Sequence, residues 1–424
     1  MTRAGMWAGS AAIALIVAGA FAVVAAGSRA NAQANKREAP LETKDAASVQ
    51  PWKRYAGWPA RDESKYNTLG HLATAPAPTA PRPVGNQVIG DAANGGKLVA
   101  DRNRGGSCLA CHVMGQAGNA DLPGNAAPDL SEIGNAGRTD EWLFNYVYDA
   151  RVYNPETIMP PWGSHGFFTD PEINDIVAFL KTLKSPAVFK TALDDPNKRP
   201  APVEKRDNLD AIENPAMWAV EKAQELWNLK SASGFSCNTC HSEPQATFKT
   251  WAASMPKWEP RLDKVLGVEE FVARHAKATT GAAWLMETDE NRALSVYLHF
   301  LANGAPIAID TSSAEAKAAI ERGKVLSARK VGQLNMACTD CHGKAANHWI
   351  RGQWLGDPKG QYDHFPTWRT SLLAIWDIRQ RFQWCQVNIR ADELPPDAKE
   401  YGDLELYLAA QNEGLKLSVP GIRH

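Results

Sequence analysis

Net charge is almost missing from this 424-residue chain: 46 basic residues against 47 acidic ones leave −1 at pH 7. So balanced a chain has no broad attraction for phosphate, which argues against nucleic acid or an anionic membrane as partner. Long apolar runs are missing too, with one exception. Residues 11–27 are continuously apolar, but the run is short and alanine-rich for a bilayer span. Arg3 precedes it and Ala30-Asn31-Ala32 follows, the pattern of an export signal. Residues 1–32 are therefore expected to be a signal peptide that directs the chain to the periplasm. Membrane contact is then expected only through that segment, where it stays uncleaved.

Cysteine is scarce, at 7 residues, and most are already committed. Six fall in three copies of Cys-x-x-Cys-His: CLACH at 108–112, CNTCH at 237–241 and CTDCH at 338–342. Only Cys385 is left over, which excludes a disulfide scaffold apart from an intermolecular bond. Zinc sites with this spacing come as paired half-sites around one metal, and these copies stand far apart. The motif is instead the attachment signature of a c-type haem. Two thiols form thioethers along one edge of the ring, and the adjacent histidine coordinates iron. Cys108, Cys111, Cys237, Cys240, Cys338 and Cys341 are thus the expected attachment points for three covalently bound haem c groups. His112, His241 and His342 are the expected proximal ligands. The 15 Trp fit rings packed on porphyrin faces.

The motifs begin at 108, 237 and 338, which predicts one haem per domain and an all-α fold of three cytochrome c-like domains with few strands. After the signal, residues 33–85 are polar and Ala-Pro-rich and read as an extended linker with little packed structure. The domains are expected at 86–190, 191–306 and 307–424. A short helical pattern precedes each motif, and each domain closes with an amphipathic helix. The clearest closing helix has Asp170 as N-cap, Pro171 at the first helical position, and Ile173, Ile176, Val177, Leu180 and Leu183 on one face. Residues 184–202 read as a true inter-domain linker. The joint near 303–313 is tighter, so the last two domains are expected to be closely joined. The endings Tyr297-Leu298…Asn303-Gly304 and Tyr407-Leu408…Gly414 resemble each other and suggest an internal duplication.

Function depends on the ligand opposite each histidine. In the first domain Met159 lies in a proline-held loop (NPETIMPPWG) just before the closing helix. A thioether there favours ferrous iron and suits an electron exit. In the third domain Cys385 takes the same relative place. Arg381 stands four residues earlier, on the same face if the segment is helical, and Arg369, Arg379 and Arg390 surround the pair. This arrangement suits chemistry on a small sulfur-containing anion; a buried structural thiol beside a solvated basic face accounts for it equally well. The second domain leaves His275 and His299 as candidates.

The stretch from Arg351 to the C-terminus (RGQWLGDPKGQYDHFPTWR … DIRQRFQWC … YGDLELYLAAQNEGLKLSVPGIR) resembles the SoxA subunit of the thiosulfate-oxidising Sox system. Residues 90–183, with CLACH and NPETIMPPWG, resemble its partner SoxX. The chain is similar to a natural fusion, SoxX-like part first and di-haem SoxA-like part second. That resemblance implies an L-cysteine S-thiosulfotransferase, which joins thiosulfate oxidatively to a cysteine of a SoxYZ-like carrier and passes two electrons to a cytochrome c acceptor. It implies His342 and Cys385 as ligands of the active-site haem, Cys385 as the residue that carries an extra sulfur, Arg381 as an active-site residue, and His112 with Met159 on the first haem. Where di-haem SoxA proteins have cysteine on the other haem, this chain has His275, which implies bis-histidine ligation. The rival readings are a plain multi-haem electron carrier and a thiosulfate dehydrogenase that needs no carrier.

Overall fold

The computed structural model describes residues 74–85, 87–102, 104, 106–115, 122–202 and 209–423. The expected signal peptide and the first part of the expected linker lie outside the described residues. Helices dominate, and the strands among the described residues are only two or three residues long. No described helix is long and apolar enough to cross a membrane.

In the first haem-motif segment, helix Ala92–Ala100 crosses helix Asp170–Thr182. The crossing is close because residue 95 is glycine: a Cβ there would overlap the Asp175 carbonyl. Ile173, Ile176, Val177 and Leu180 are buried in this helix, and Leu183 just beyond it, as their spacing predicts. The cap differs from expectation. Thr169, not Asp170, is the N-cap, and it forms a capping box with Glu172. The Thr-x-x-Glu pattern satisfies two orphan donors reciprocally, which a lone Asp cannot do.

Residues 74–85 contain no helix or strand, yet they are not loose. Arg82 forms a bidentate pair with Asp170, at 3.1 and 2.8 Å, and lies over the Tyr148 ring. Its backbone exchanges hydrogen bonds with the Asn145 side chain. Arg151 donates to the Ala75 carbonyl, and Ala75 N–H donates to His165 Nε2. The expectation of little packed structure therefore fails here, because Arg82 and bare carbonyls find fixed partners. Residues 184–202 are also docked: Arg199 donates to the Arg351 carbonyl and covers the Trp349 ring.

The rest of the chain repeats one design. A strand pair, Lys257–Glu259 with Lys264–Leu266, leads into helix Val268–Thr279 and then helix Asp289–Leu301. Starting 110 residues later, Thr367–Arg369 pairs with Ala374–Trp376 and leads into helix Ile378–Asn388 and then helix Lys399–Gln411. The second copy gains a strand, Gly421–Arg423, parallel to Thr367–Arg369. One apolar cluster runs through both copies, from Ala216, Val220 and Tyr297 to Ile375, Leu406 and Leu417. A buried ionic knot fastens them together. Arg379 donates to Glu270 at 2.9 Å and to Glu405 at 2.7 Å. A second cluster holds the first segment together and takes in Leu334, Met336 and Cys341 from the last.

Candidate active site and haem positions

Helix Ile378–Asn388 starts at Asp377, whose side chain accepts from Gln380 N–H. The helix places Arg381 and Cys385 one turn apart, and both line a cavity of about 660 Å³. The same cavity is lined by Cys338, Cys341 and His342, and its walls include Trp349, Leu355, Phe365 and Phe382. The volume lies in the range of cofactor pockets, and the lining is mainly apolar with a few convergent polar groups. His342 Nδ1 is bonded to the Gly356 carbonyl at 2.9 Å, which leaves Nε2 for a metal. Burial lowers the pKa of His342 and keeps the imidazole in its neutral, ligating form. Burial also pushes the Cys338 thiol up to about 12. A thioether has no proton to lose, so attachment removes that burden. These residues fit a covalently held haem with Cys385 as a further donor.

The cavity is also cationic. Arg381 lies with its guanidinium 4.3 Å over the Trp384 ring. Arg369 stands directly beside Arg423 in the parallel strand pair, and both line the cavity. Nη1 of Arg381 and Nε of Arg369 are shut off from solvent with no hydrogen-bond partner among the described residues. Burial, reinforced by the neighbouring Arg381 charge, brings Arg369 down to about 9. Two arginines directly opposite on paired strands repel one another. An anion in the cavity would relieve the repulsion and satisfy the orphan donors.

The other two arginines expected around Cys385 lie elsewhere. Arg379 is consumed by the ionic knot. Arg390 donates to Gln333 at 2.6 Å and to the Arg104 carbonyl, and lies over Phe167, which fastens the last segment to the first. Arg423 was missed, because its strand partner is far away in sequence and leaves no periodic signal.

In the first copy, the rings of His241 and His275 lie 6.2 Å apart between centroids, with planes 48° apart. Two imidazoles that each hold one shared metal at about 2 Å would stand at such a spacing once half a ring is added on each side. His275 stacks on Phe271 at 5.3 Å, and His241 packs against Phe248 and Trp227. His299 is excluded from this pairing. Its Nδ1 bonds the Ser295 carbonyl at 2.8 Å, and its ring borders a small cavity with Glu269, Tyr362 and Glu405. Burial brings His299 down to about 4.

In the first segment, His112 Nδ1 bonds the Pro128 carbonyl at 2.7 Å, the same device as at His342. Met159 packs on the cluster that holds Cys108 and Leu109. Burial raises the Cys341 thiol, and nearby Cys385 and Cys111 raise it further.

The cytochrome c family model matches residues 92–184, and the SoxA/TsdA cytochrome c domain matches residues 222–307. The L-cysteine S-thiosulfotransferase subunit SoxA of Pseudaminobacter salicylatoxidans is 30% identical over 221 residues, covering 52% of this chain and 77% of that protein. The chain belongs to the SoxA family. The corresponding subunit of Paracoccus pantotrophus is 28% identical over 222 residues, covering 52% of this chain and 74% of that one. The crystal structure of SoxXA from P. pantotrophus aligns with a TM-score of 0.48 at 27% identity, over 51% of this chain and 81% of that one. A SoxA relative thus accounts for about half of this chain, and the cytochrome c match covers a separate stretch before it.

Proposed function

We propose that this protein is a periplasmic tri-haem L-cysteine S-thiosulfotransferase in which a SoxX-like domain is fused ahead of a two-domain SoxA-like part. The observation that carries the reading is Cys385 sharing one haem-sized cavity with Arg381, Arg369 and Arg423. Cys108, Cys111, Cys237, Cys240, Cys338 and Cys341 would attach three haems. The axial pairs would be His112 with Met159, His241 with His275, and His342 with Cys385. Bound haem supplies one-electron acceptors for the two electrons that the reaction releases.

Thiosulfate is a dianion and a cysteine thiolate is an anion, so their sulfurs repel on approach. Arg381, backed by Arg369 and Arg423, offsets that repulsion where the charge gathers. Cys385 forms a sulfur–sulfur bond to the outer sulfur of thiosulfate, and two electrons leave. The thiolate of a SoxYZ-like carrier then attacks that outer sulfur and displaces the Cys385 thiolate. Summed, a carrier thiol and thiosulfate give the carrier S–S–SO₃⁻ conjugate, two electrons and one proton. A cytochrome c acceptor removes the electrons.

Arg381→Ala should lower thiosulfate- and carrier-dependent turnover on the order of a hundredfold or more, with all three haems retained by mass and absorbance. Near-normal turnover in that variant would remove Arg381 from the reaction, and a parent without such turnover would be an electron carrier only. Undiminished thiosulfate oxidation with the carrier omitted would instead favour a dehydrogenase.

A further inference from the structure

The first and third haem motifs grip each other's surroundings. Met159 sits in a loop with Pro155, Pro160 and Pro161, where helical hydrogen bonds are lacking. Its own N–H donates to Thr157 Oγ1 at 3.1 Å. Two consecutive carbonyls just before it accept from lysines of the last segment. Lys344 Nζ lies 2.9 Å from the Glu156 oxygen, and Lys330 Nζ lies 3.2 Å from the Thr157 oxygen. Lys344 belongs to the short helical turn Asp340–Lys344, which also carries Cys341 and His342. Asp340 in that turn is buried; it takes Lys330 at 3.0 Å and accepts from Ala337 N–H at 2.9 Å. The grip is returned on the other side, where Arg351 N–H donates to the carbonyl of Ala110, inside CLACH.

We propose that Lys330 and Lys344 are positioning residues for Met159, so that the third haem motif sets the ligation and the potential of the first haem. The inference rests on the reading of Met159 as that haem's ligand. A thioether is a neutral, weak donor, and it stays on a metal only while its loop is held in place. Charge-assisted hydrogen bonds to two adjacent carbonyls restrain this loop from outside its own segment. Lys330 is bonded to Asp340, and Lys344 belongs to the same turn with its ammonium 3.8 Å from that carboxylate, so a shift of the Cys341–His342 turn moves the loop. The device connects the site that releases electrons with the site that is proposed to receive them.

The test uses the full-length tri-haem protein and the variants Lys330→Met, Lys344→Met and both together. Each single change should raise the methionine-dissociated fraction of the first haem on the order of tenfold. The double variant should lose the sulfur-to-iron band at the red edge of the visible spectrum and show a lower midpoint potential for that haem. Lys330→Arg should keep both signals, since it restores the cation without restoring the shape. Lys344→Met leaves the Lys330–Asp340 bond in place, so it remains informative if the other variants fold poorly. Parent-like band and potential in Lys344→Met and in the double variant would overturn the proposal, provided Met159→Ala abolishes the band. A band that survives Met159→Ala would overturn the ligand assignment, and the positioning role with it.

Discussion

The two repeated copies carry the same backbone and unlike chemistry. His275 and Cys385 hold equivalent positions on equivalent helices, 110 residues apart. One turn earlier, the position of Arg381 is occupied in the first copy by Phe271, which stacks on His275. On the preceding strand, Arg369 corresponds to Glu259, which points its charge into a pair with exposed Arg261. The first copy thus sets an aromatic ring beside His275 where the second sets the Arg381 guanidinium one turn before Cys385. The second surrounds a thiol with guanidinium groups. The scaffold fixes the helical position that His275 and Cys385 share; in the proposed function, the three side chains Arg369, Arg381 and Cys385 would decide whether the place can handle a sulfur anion.

Making the second copy like the first is the most direct way to test this contrast. Cys385→His should keep a low-spin third haem, because an imidazole at the same helical position can reach the metal as His275 is proposed to do. Thiosulfate-dependent conjugation should fall to background, since no sulfur remains to accept the outer sulfur of the substrate. The paired readouts are the electron paramagnetic resonance spectrum of the oxidised protein and the appearance of carrier-bound thiosulfate. Persistent turnover with a bis-histidine signal would show that Cys385 takes no part in the sulfur chemistry.

Local patterns were readable in the sequence, and non-local ones were not. The haem motifs are contiguous, and the relation of Arg381 to Cys385 is one helical turn, so both could be read off directly. The repeat announced itself in the closing helices because the Gly304 and Gly414 endings are short and regular. Arg379 was mistaken for a neighbour of Cys385 for a geometric reason. Two residues before Arg381 on a helix is nearly the opposite face, and that face is buried against Glu270 and Glu405. The Arg369–Arg423 pair depends on a parallel strand contact that only the folded chain creates. The docked stretch at 74–85 was misread because Ala-Pro composition describes stiffness and carries no information on whether partners await the chain.

A smaller effect is expected from the first copy. His275→Ala should convert one low-spin haem signal to high spin, whereas His299→Ala should leave the haem spectra unchanged. His299 is held by its own helix in a different cavity, so its loss is a matter of packing. Conjugation activity should remain within a few fold of the parent in His275→Ala, because the anion-binding cations belong to the other copy. High-spin conversion in His299→Ala instead would reverse the ligand assignment while leaving the comparison of scaffolds intact.

The smallest effect concerns the seam between the copies. Glu269 and Arg379 are equivalent positions, as are Ser295 and Glu405. Arg379 bonds Glu405, and Glu269 accepts from Ser295 at 2.5 Å. The equivalence breaks in charge: Arg379 is neutralised by two carboxylates, while Glu269 accepts from neutral donors, the Ser295 hydroxyl and a backbone N–H. Burial, with Asp377 and Glu405 nearby, therefore raises Glu269 to about 8. Between pH 6.5 and that value the folded chain keeps the proton, whereas the unfolded chain has lost it. The unfolded state thus binds fewer protons, and stability falls as pH rises through this window. His299, brought down by burial, opposes this decline at the lower end of the window, where the unfolded histidine is still about half protonated; that contribution is common to parent and to a variant at Glu269. Glu269→Gln keeps an acceptor for Ser295 and removes the proton, so the decline should flatten by at most about 2 kcal/mol across the window. Denaturant unfolding of parent and variant at matched pH values measures it. Parent and variant curves of the same slope from pH 6.5 to 8 would mean that the seam already neutralises Glu269, and that the two copies are matched in charge as well as in shape.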